Sequence, residues 1–144
     1  MVNFPTRRPQ MYRFTATGVA PDSVSFNARG EIFVFAPANL LRPETVESLF
    51  VLWRVTKQPR WRAYGWQIFE AFVRHCRNAR GFAGLQNVEV KRPKQRSRQE
   101  SFWTAETLKY LYLLFSDDAT IPLDEFVFNT EAHPLPIFRA TTAT

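Results

Sequence analysis

Two glutamates, Glu44 and Glu47, stand three apart in the stretch Arg42-Pro43-Glu44-Thr45-Val46-Glu47-Ser48-Leu49-Phe50. On a helix they share one side and lie near its positive end, which favours the ionised form that a general base needs. A pair of anions at a helix mouth is either a cap or the working part of a site, and spacing alone favours the cap. Further acids, Glu100, Glu106 and Glu131, fall near helix starts or turns beside aromatics, and Glu106 follows Phe102 by four residues, so the two share a face. Thr130 offers a hydroxyl and a carbonyl oxygen that can both face a hard cation such as Ca²⁺, which takes six to eight oxygens. The competing reading is a side-chain-capped turn. His75 and His133 lie far apart and form no convincing triad with Cys76, whose place on an apolar face argues for a buried, inert thiol. There is no EF-hand loop and no His-Glu-x-x-His.

The elements that must position these groups are mostly helical. Pro43 suits the first helical position, and Val46, Leu49, Phe50 and Trp53 form one apolar face, so a helix is expected from Arg42 to about Lys57. Gln58-Pro59 turns the chain. A second helix is expected over about Arg60 to Arg77, with Trp61, Tyr64, Ile68 and Phe72 on one face and Trp66, Phe69, Val73 and Cys76 on another, hence packed on two sides. Ser97-x-x-Glu100 resembles a capping box and opens a third helix, about Gln99 to Phe115, with Leu108, Leu111, Tyr112 and Phe115 as its stripe. That third helix has no obvious partner in this chain. Short strands are expected at Glu31–Phe35 and Glu125–Phe128, with a turn at Asn129-Thr130-Glu131.

Length and composition set the frame. The 144 residues suit about one domain; 45% are apolar and 15% aromatic, with 14 Phe and 4 Trp, which excludes a disordered chain. The net charge of +6 permits anionic partners without demanding them. The basic run Lys91 to Arg98 lacks interleaved aromatics and reads as a solvated loop, so no nucleic-acid partner is expected. No apolar run is long enough to span a membrane, no membrane contact by this segment is expected, and Met1 to Gln10 lacks the apolar region of a secretory signal. A single cysteine allows no internal disulfide.

Five blocks together resemble one family. Leu41-Arg42-Pro43-Glu44-Thr45-Val46-Glu47-Ser48, Glu100-Ser101-Phe102, Glu106-Thr107-Leu108-Lys109-Tyr110-Leu111, Phe115-Ser116-Asp117-Asp118 and Phe128-Asn129-Thr130-Glu131-Ala132-His133-Pro134-Leu135 are similar in order and spacing to the carboxy-terminal end of glycoside hydrolase family 47, the class I α-1,2-mannosidases, nearest in flavour to the endoplasmic-reticulum type. The resemblance implies an all-α architecture, the carboxy-terminal part of an (α/α)7 barrel with a terminal β-hairpin plug. It divides the chain into an unassigned extension (1–10), a catalytic-domain portion (11–138) and a tail (139–144). It implies Glu44 as the general base of an inverting hydrolysis, Thr130 as a Ca²⁺ ligand through both oxygens, and Arg42, Glu47, Phe102, Glu106 and Glu131 as residues that bind the sugar or hold the cation's waters. The implied substrate is a high-mannose N-glycan or its glycoprotein, and the implied location is the endoplasmic reticulum or Golgi lumen, although this chain carries no targeting signal.

Two departures accompany the resemblance. Asp22, in Gly18-Val19-Ala20-Pro21-Asp22, stands where the family has a glutamate one methylene longer, and the family cysteine expected near Arg8 is absent. Seven hairpins at about 50 residues each need roughly 350 residues, so the amino-terminal hairpins and the family's general acid are expected to lie outside this chain. The 144-residue chain alone is therefore expected to be inactive. The alternative implied by the same family is a mannose-binding or interaction module without turnover.

Overall fold

A computed structural model describes residues 15–138. The stretches 1–10 and 139–144, Arg8 and the start of the family resemblance at Met11 lie outside the described residues. In chain order the elements are β1 (Ser23–Phe26), β2 (Ile32–Ala36), α1 (Glu44–Thr56), α2 (Arg60–His75), β3 (Arg77–Asn78), β4 (Gly81–Phe82), a π-helical turn (Trp103–Thr107) running into α3 (Leu108–Phe115), β5 (Phe126–Phe128) and β6 (Pro134–Pro136). The strands form three separate antiparallel hairpins, β1–β2, β3–β4 and β5–β6. The described residues are thus helices with small β-hairpins attached, rather than purely helical.

α1 forms where Pro43 and its two acids open a helix and Val46, Leu49 and Phe50 bury its inner face. It ends at Lys57, which turns left-handed at φ 55° and donates its N–H to the Trp53 carbonyl at 2.9 Å. Pro59 then precedes α2, which buries Trp61, Ile68 and Phe72 against α1 and α3. Gly65 lets α2 approach closely, because a Cβ there would run into the Leu114 side chain of α3.

Four expectations about the helices need correction. The second face of α2 is not covered: Trp66 is 50% exposed and Phe69 and Val73 are only partly buried, although Cys76 is fully buried. Trp66 rests edge-on against Phe115 at 5.9 Å, at the margin of the core. The third helix starts later than Gln99, and Ser97 does not cap it; Glu100 instead accepts from Arg98 Nε at 2.8 Å. Its buried stripe is Tyr110, Leu111, Leu113 and Leu114, whereas Tyr112 and Phe115 face outward. In the run Leu108 to Phe115 nearly every residue is apolar, so periodicity cannot pick a face, and the wider π turn alters the register entering α3. α3 also has its partner within the chain, since it packs on both α1 and α2.

Arg54 ties the far end of the helices together. Its side chain is 3% exposed, lies 4.9 Å over the Phe50 ring, and donates to the carbonyls of Asp117 (3.0 Å), Asp118 (3.0 Å) and Thr120 (2.9 Å), with longer bonds to Leu113 and Ile121. Those carbonyls end α3 and begin the loop to β5. Lys57 pairs with the Asp118 carboxylate, which holds that carboxyl below its ordinary pKa.

Candidate active site

The loop before α1 is fixed at its backbone. Asn39 exchanges both backbone hydrogen bonds with Leu85 (3.0 and 2.7 Å), its side-chain amide donates to Ala20 O, and its Oδ1 accepts the Leu41 N–H. Leu41 is fully buried and left-handed at φ 65°, a strained setting for a branched residue. Its carbonyl is held by the buried Thr107 hydroxyl at 2.6 Å. The chain leaves this anchor directly into Arg42 and Glu44.

Arg42 projects its guanidinium 5.5 Å from the centre of the Phe102 ring, a cation–π pairing that holds a flat aromatic face beside a cation. Its Nε lies 3.9 Å from Asp22 Oδ2, and Asp22 Oδ1 accepts the Leu40 N–H at 3.2 Å. Burial raises the Asp22 carboxyl above its ordinary pKa, opposed by the Leu40 N–H and Arg42, while Glu44 pushes it further up. Asp22 therefore belongs to the neighbourhood of Arg42 and Glu44 despite its shorter side chain.

One turn further along α1, Glu47 Oε1 accepts a hydrogen bond from the Tyr110 hydroxyl at 3.3 Å. Tyr110 is buried, with its ring 5.8 Å from Phe50 and 5.5 Å from Phe128, so α1, α3 and β5 meet at one phenol. Its own pKa is pushed up by burial first and by the Glu47 charge second.

Glu106, on the π turn, reports the assembly of the rest. Its carboxyl is raised by burial, then by the charges of Glu131, Glu44 and Glu47, with Lys109 opposing them. Four acids from three separate parts of the sequence thus share one field. Because the ionised form is the one disfavoured on folding, the penalty is absent well below the ordinary carboxylate range and grows as pH rises through the raised pKa. Glu106→Gln is accordingly expected to raise the melting temperature at pH 7 by about 1–3 °C, since relief of such repulsion is worth a few tenths of a kcal/mol. The gain should vanish near pH 3, and a scanning-calorimetry series over pH checks it.

Between β5 and β6 the turn is built by Asn129. Its Oδ1 accepts the N–H groups of Glu131 (3.0 Å) and His133 (2.8 Å), and its carbonyl accepts Ala132 N–H. The turn chemistry falls to Asn129, so Thr130 is left exposed, with neither its hydroxyl nor its carbonyl hydrogen-bonded among the described residues. Ala132 is buried and left-handed at φ 56°, and its carbonyl accepts Lys109 Nζ at 2.8 Å. His133 serves the turn. His75 is half-buried, and burial pushes the Cys76 thiol up to about 12, consistent with an inert core residue.

The structure therefore brings Glu44, Glu47, Glu106 and Glu131 into one field, sets Arg42 on Phe102, and holds Thr130 next to Glu131. Glu100 is paired with Arg98. Among the described residues no three His, Cys, Asp or Glu side chains close on one point as a ready metal cage. A cation here would need ligands of another kind: hydroxyl, carbonyl and water oxygens, which suit a hard ion. Sequence reasoning missed Thr107, Lys109 and Tyr110. A lysine inside an otherwise apolar helical run was the available signal, since a cation there needs an acceptor.

Comparison with known proteins places the same stretch in context. The family model described as glycosyl hydrolase family 47 matches residues 7–137. A mannosyl-oligosaccharide 1,2-alpha-mannosidase of Arabidopsis thaliana is 49% identical over 92% of this chain and 24% of its own length. The endoplasmic reticulum mannosyl-oligosaccharide 1,2-alpha-mannosidase of Schizosaccharomyces pombe is 52% identical over 88% of this chain and 26% of its own length. Among solved structures, an alpha-1,2-mannosidase from Trichoderma reesei superposes with a TM-score of 0.81 at 31% identity, covering 89% of this chain and 31% of that one. The chain spans about a quarter of the length of the curated relatives it matches.

Proposed function

The chain belongs to glycosyl hydrolase family 47, and from that premise we propose that it supplies the base, the sugar platform and the cation-binding turn of an α-1,2-mannosidase. The observation that carries the reading is the Arg42 guanidinium set on the Phe102 ring at 5.5 Å beside the acids of α1, with Glu47 held by Tyr110 and the Glu106 carboxyl raised by burial and then by Glu131, Glu44 and Glu47. Carboxylates that share a field in this way are favoured by a cation or a polar ligand placed among them.

Glu44 is the general base. It sits exposed in the first turn of α1, and it takes the proton of the attacking water. Phe102 lies under the sugar ring with Arg42 beside it, an apolar face and a donor for hydroxyls on the same residue pair. Glu47, steadied by Tyr110, and Glu106 and Glu131 accept from sugar hydroxyls and from waters. A Ca²⁺ ion would be held by the hydroxyl and carbonyl oxygens of Thr130, and Glu47, Glu106 and Glu131 would hold its waters. When bound, such an ion polarises and orients the sugar hydroxyls beside it. Inversion requires a carboxylic acid across the scissile bond, with room for a water between acid and base. No residue of this chain is assigned to that acid; it belongs to the hairpins that complete an (α/α)7 barrel, which would also cover the exposed face of α2 at Trp66. The β5–β6 hairpin is the plug of that barrel.

The substrate is a terminal α-1,2-linked mannose of a high-mannose N-glycan, and the setting is the lumen of the secretory pathway, as the name of the Schizosaccharomyces pombe relative suggests. No described helix is long and apolar enough to cross a membrane.

The purified 144-residue chain is expected to bind Ca²⁺ by calorimetry and to release no mannose from α-1,2-mannobiose. Release at enzymatic rates would overturn the assignment of the acid to another part of the fold. Absence of Ca²⁺ binding would overturn the role given to Thr130.

A further inference from the structure

We propose that Lys109 is a positioning residue whose ammonium clamps the left-handed residue Ala132 and so sets the Thr130–Glu131 turn against the carboxylates of α1. The geometry has a repeated design. Both arms of the site pass through a buried, non-glycine residue with positive φ, Leu41 on the way into Arg42 and Glu44, and Ala132 on the way out of Thr130 and Glu131. Such a conformation persists only when its surroundings impose it. In both cases the carbonyl of the strained residue is held by a side chain from the same short segment: Thr107 Oγ1 on Leu41 O at 2.6 Å, and Lys109 Nζ on Ala132 O at 2.8 Å. One stretch, the end of the π turn and the first residues of α3, therefore registers the two arms against each other.

Lys109 does more than a neutral donor would. It is the cation that counters Glu106 against Glu131, Glu44 and Glu47. Its aliphatic stem leaves a mostly apolar helix, and it is itself only partly exposed. A charge in that place has two separable consequences, and they oppose each other. As a local positive charge, Lys109 weakens the attraction of the site for a cation. As a clamp, it strengthens cation binding by holding Thr130 in place. The sign of its removal tells which role governs.

The test uses the full 144-residue chain and the variants Lys109→Met, Lys109→Arg and Lys109→Met with Ala132→Gly. The binding arm, Ca²⁺ titration by calorimetry, rests on the calcium reading above. Lys109→Met should weaken Ca²⁺ binding about 3- to 10-fold, the equivalent of one good hydrogen bond. Lys109→Arg, which keeps a donor and the charge, should recover most of it. Adding Ala132→Gly to Lys109→Met should recover part of it, because glycine adopts a left-handed conformation without a clamp. Tighter Ca²⁺ binding by Lys109→Met would overturn the proposal in favour of a purely electrostatic role. The second arm does not depend on calcium: amide hydrogen exchange at Ala132 and His133 should speed up about tenfold in Lys109→Met while the α1 and α2 amides keep their rates. Unchanged exchange at those two amides would overturn the clamp. If the wild-type chain binds no Ca²⁺, the calcium reading falls and the exchange arm alone decides the proposal.

Discussion

Glu44→Gln should lower kcat by about 10²- to 10⁴-fold with little change in KM, the range that loss of a positioned general base produces. The measurement needs a complete barrel. A suitable protein is a chimera in which residues 7–137 replace the corresponding segment of the Schizosaccharomyces pombe relative, which is 52% identical here. Glutamine keeps the shape of the side chain and its place on α1 but cannot accept the water's proton. Because Glu44 is exposed at the first turn and its side chain accepts no hydrogen bond from the core among the described residues, the variant should fold and melt like the parent chimera. Its Ca²⁺ affinity should also be close to the parent's, since Thr130 and the carboxylates on the π turn and the hairpin remain. A large rise in KM with kcat preserved would instead make Glu44 a sugar-binding residue.

Arg54→Met is expected to destabilise the chain by about 3 kcal/mol, the largest effect foreseen for a residue outside the site. The methionine preserves the stem that passes the Phe50 ring but leaves the carbonyls of Asp117, Asp118 and Thr120 without their donor. The wild-type group illustrates how a buried cation is tolerated. Desolvation lowers the Arg54 pKa, opposed by Asp118 and Asp117, and carbonyl dipoles from the end of α3 point at the guanidinium. Thermal denaturation of Arg54→Met checks the value; a loss under about 1 kcal/mol would mean that water replaces the guanidinium at those carbonyls. Arg54→Lys should not rescue fully, because an ammonium cannot reach several carbonyls in one plane.

These two residues show what a sequence makes legible and what it hides. Glu44 stood out because its spacing from Glu47, the proline before it and the apolar face after it are all local signals. Arg54 carries no such local signal, since its acceptors lie some sixty positions away. The same division holds for the fold. Helices with one clean apolar face, α1 and the inner side of α2, were readable from period alone. α3 was misread because an almost wholly apolar run carries no phase and the π turn changes the register. β1 escaped notice because its partner was visible only as an isolated apolar stretch, while the turn that joins them is set by Asn27 and left-handed Gly30. Within the site, the acids and Thr130 were named by resemblance. Thr107, Lys109 and Tyr110 hold the backbone and Glu47 in place through partners distant in sequence, which spacing does not reveal.

Spacing left open whether Thr130 closes its own turn. The turn is closed by the Asn129 side chain instead, which is what leaves the Thr130 oxygens available.

We propose that this segment carries the base half of an inverting, Ca²⁺-dependent α-1,2-mannosidase site. Proton NMR of α-1,2-mannobiose hydrolysis by the chimera at early times decides the matter. Mannose should appear first as the β-anomer, chelation of Ca²⁺ should stop its release, and the 144-residue chain alone should give none. Release of the α-anomer, or turnover indifferent to chelator, would rule this mechanism out.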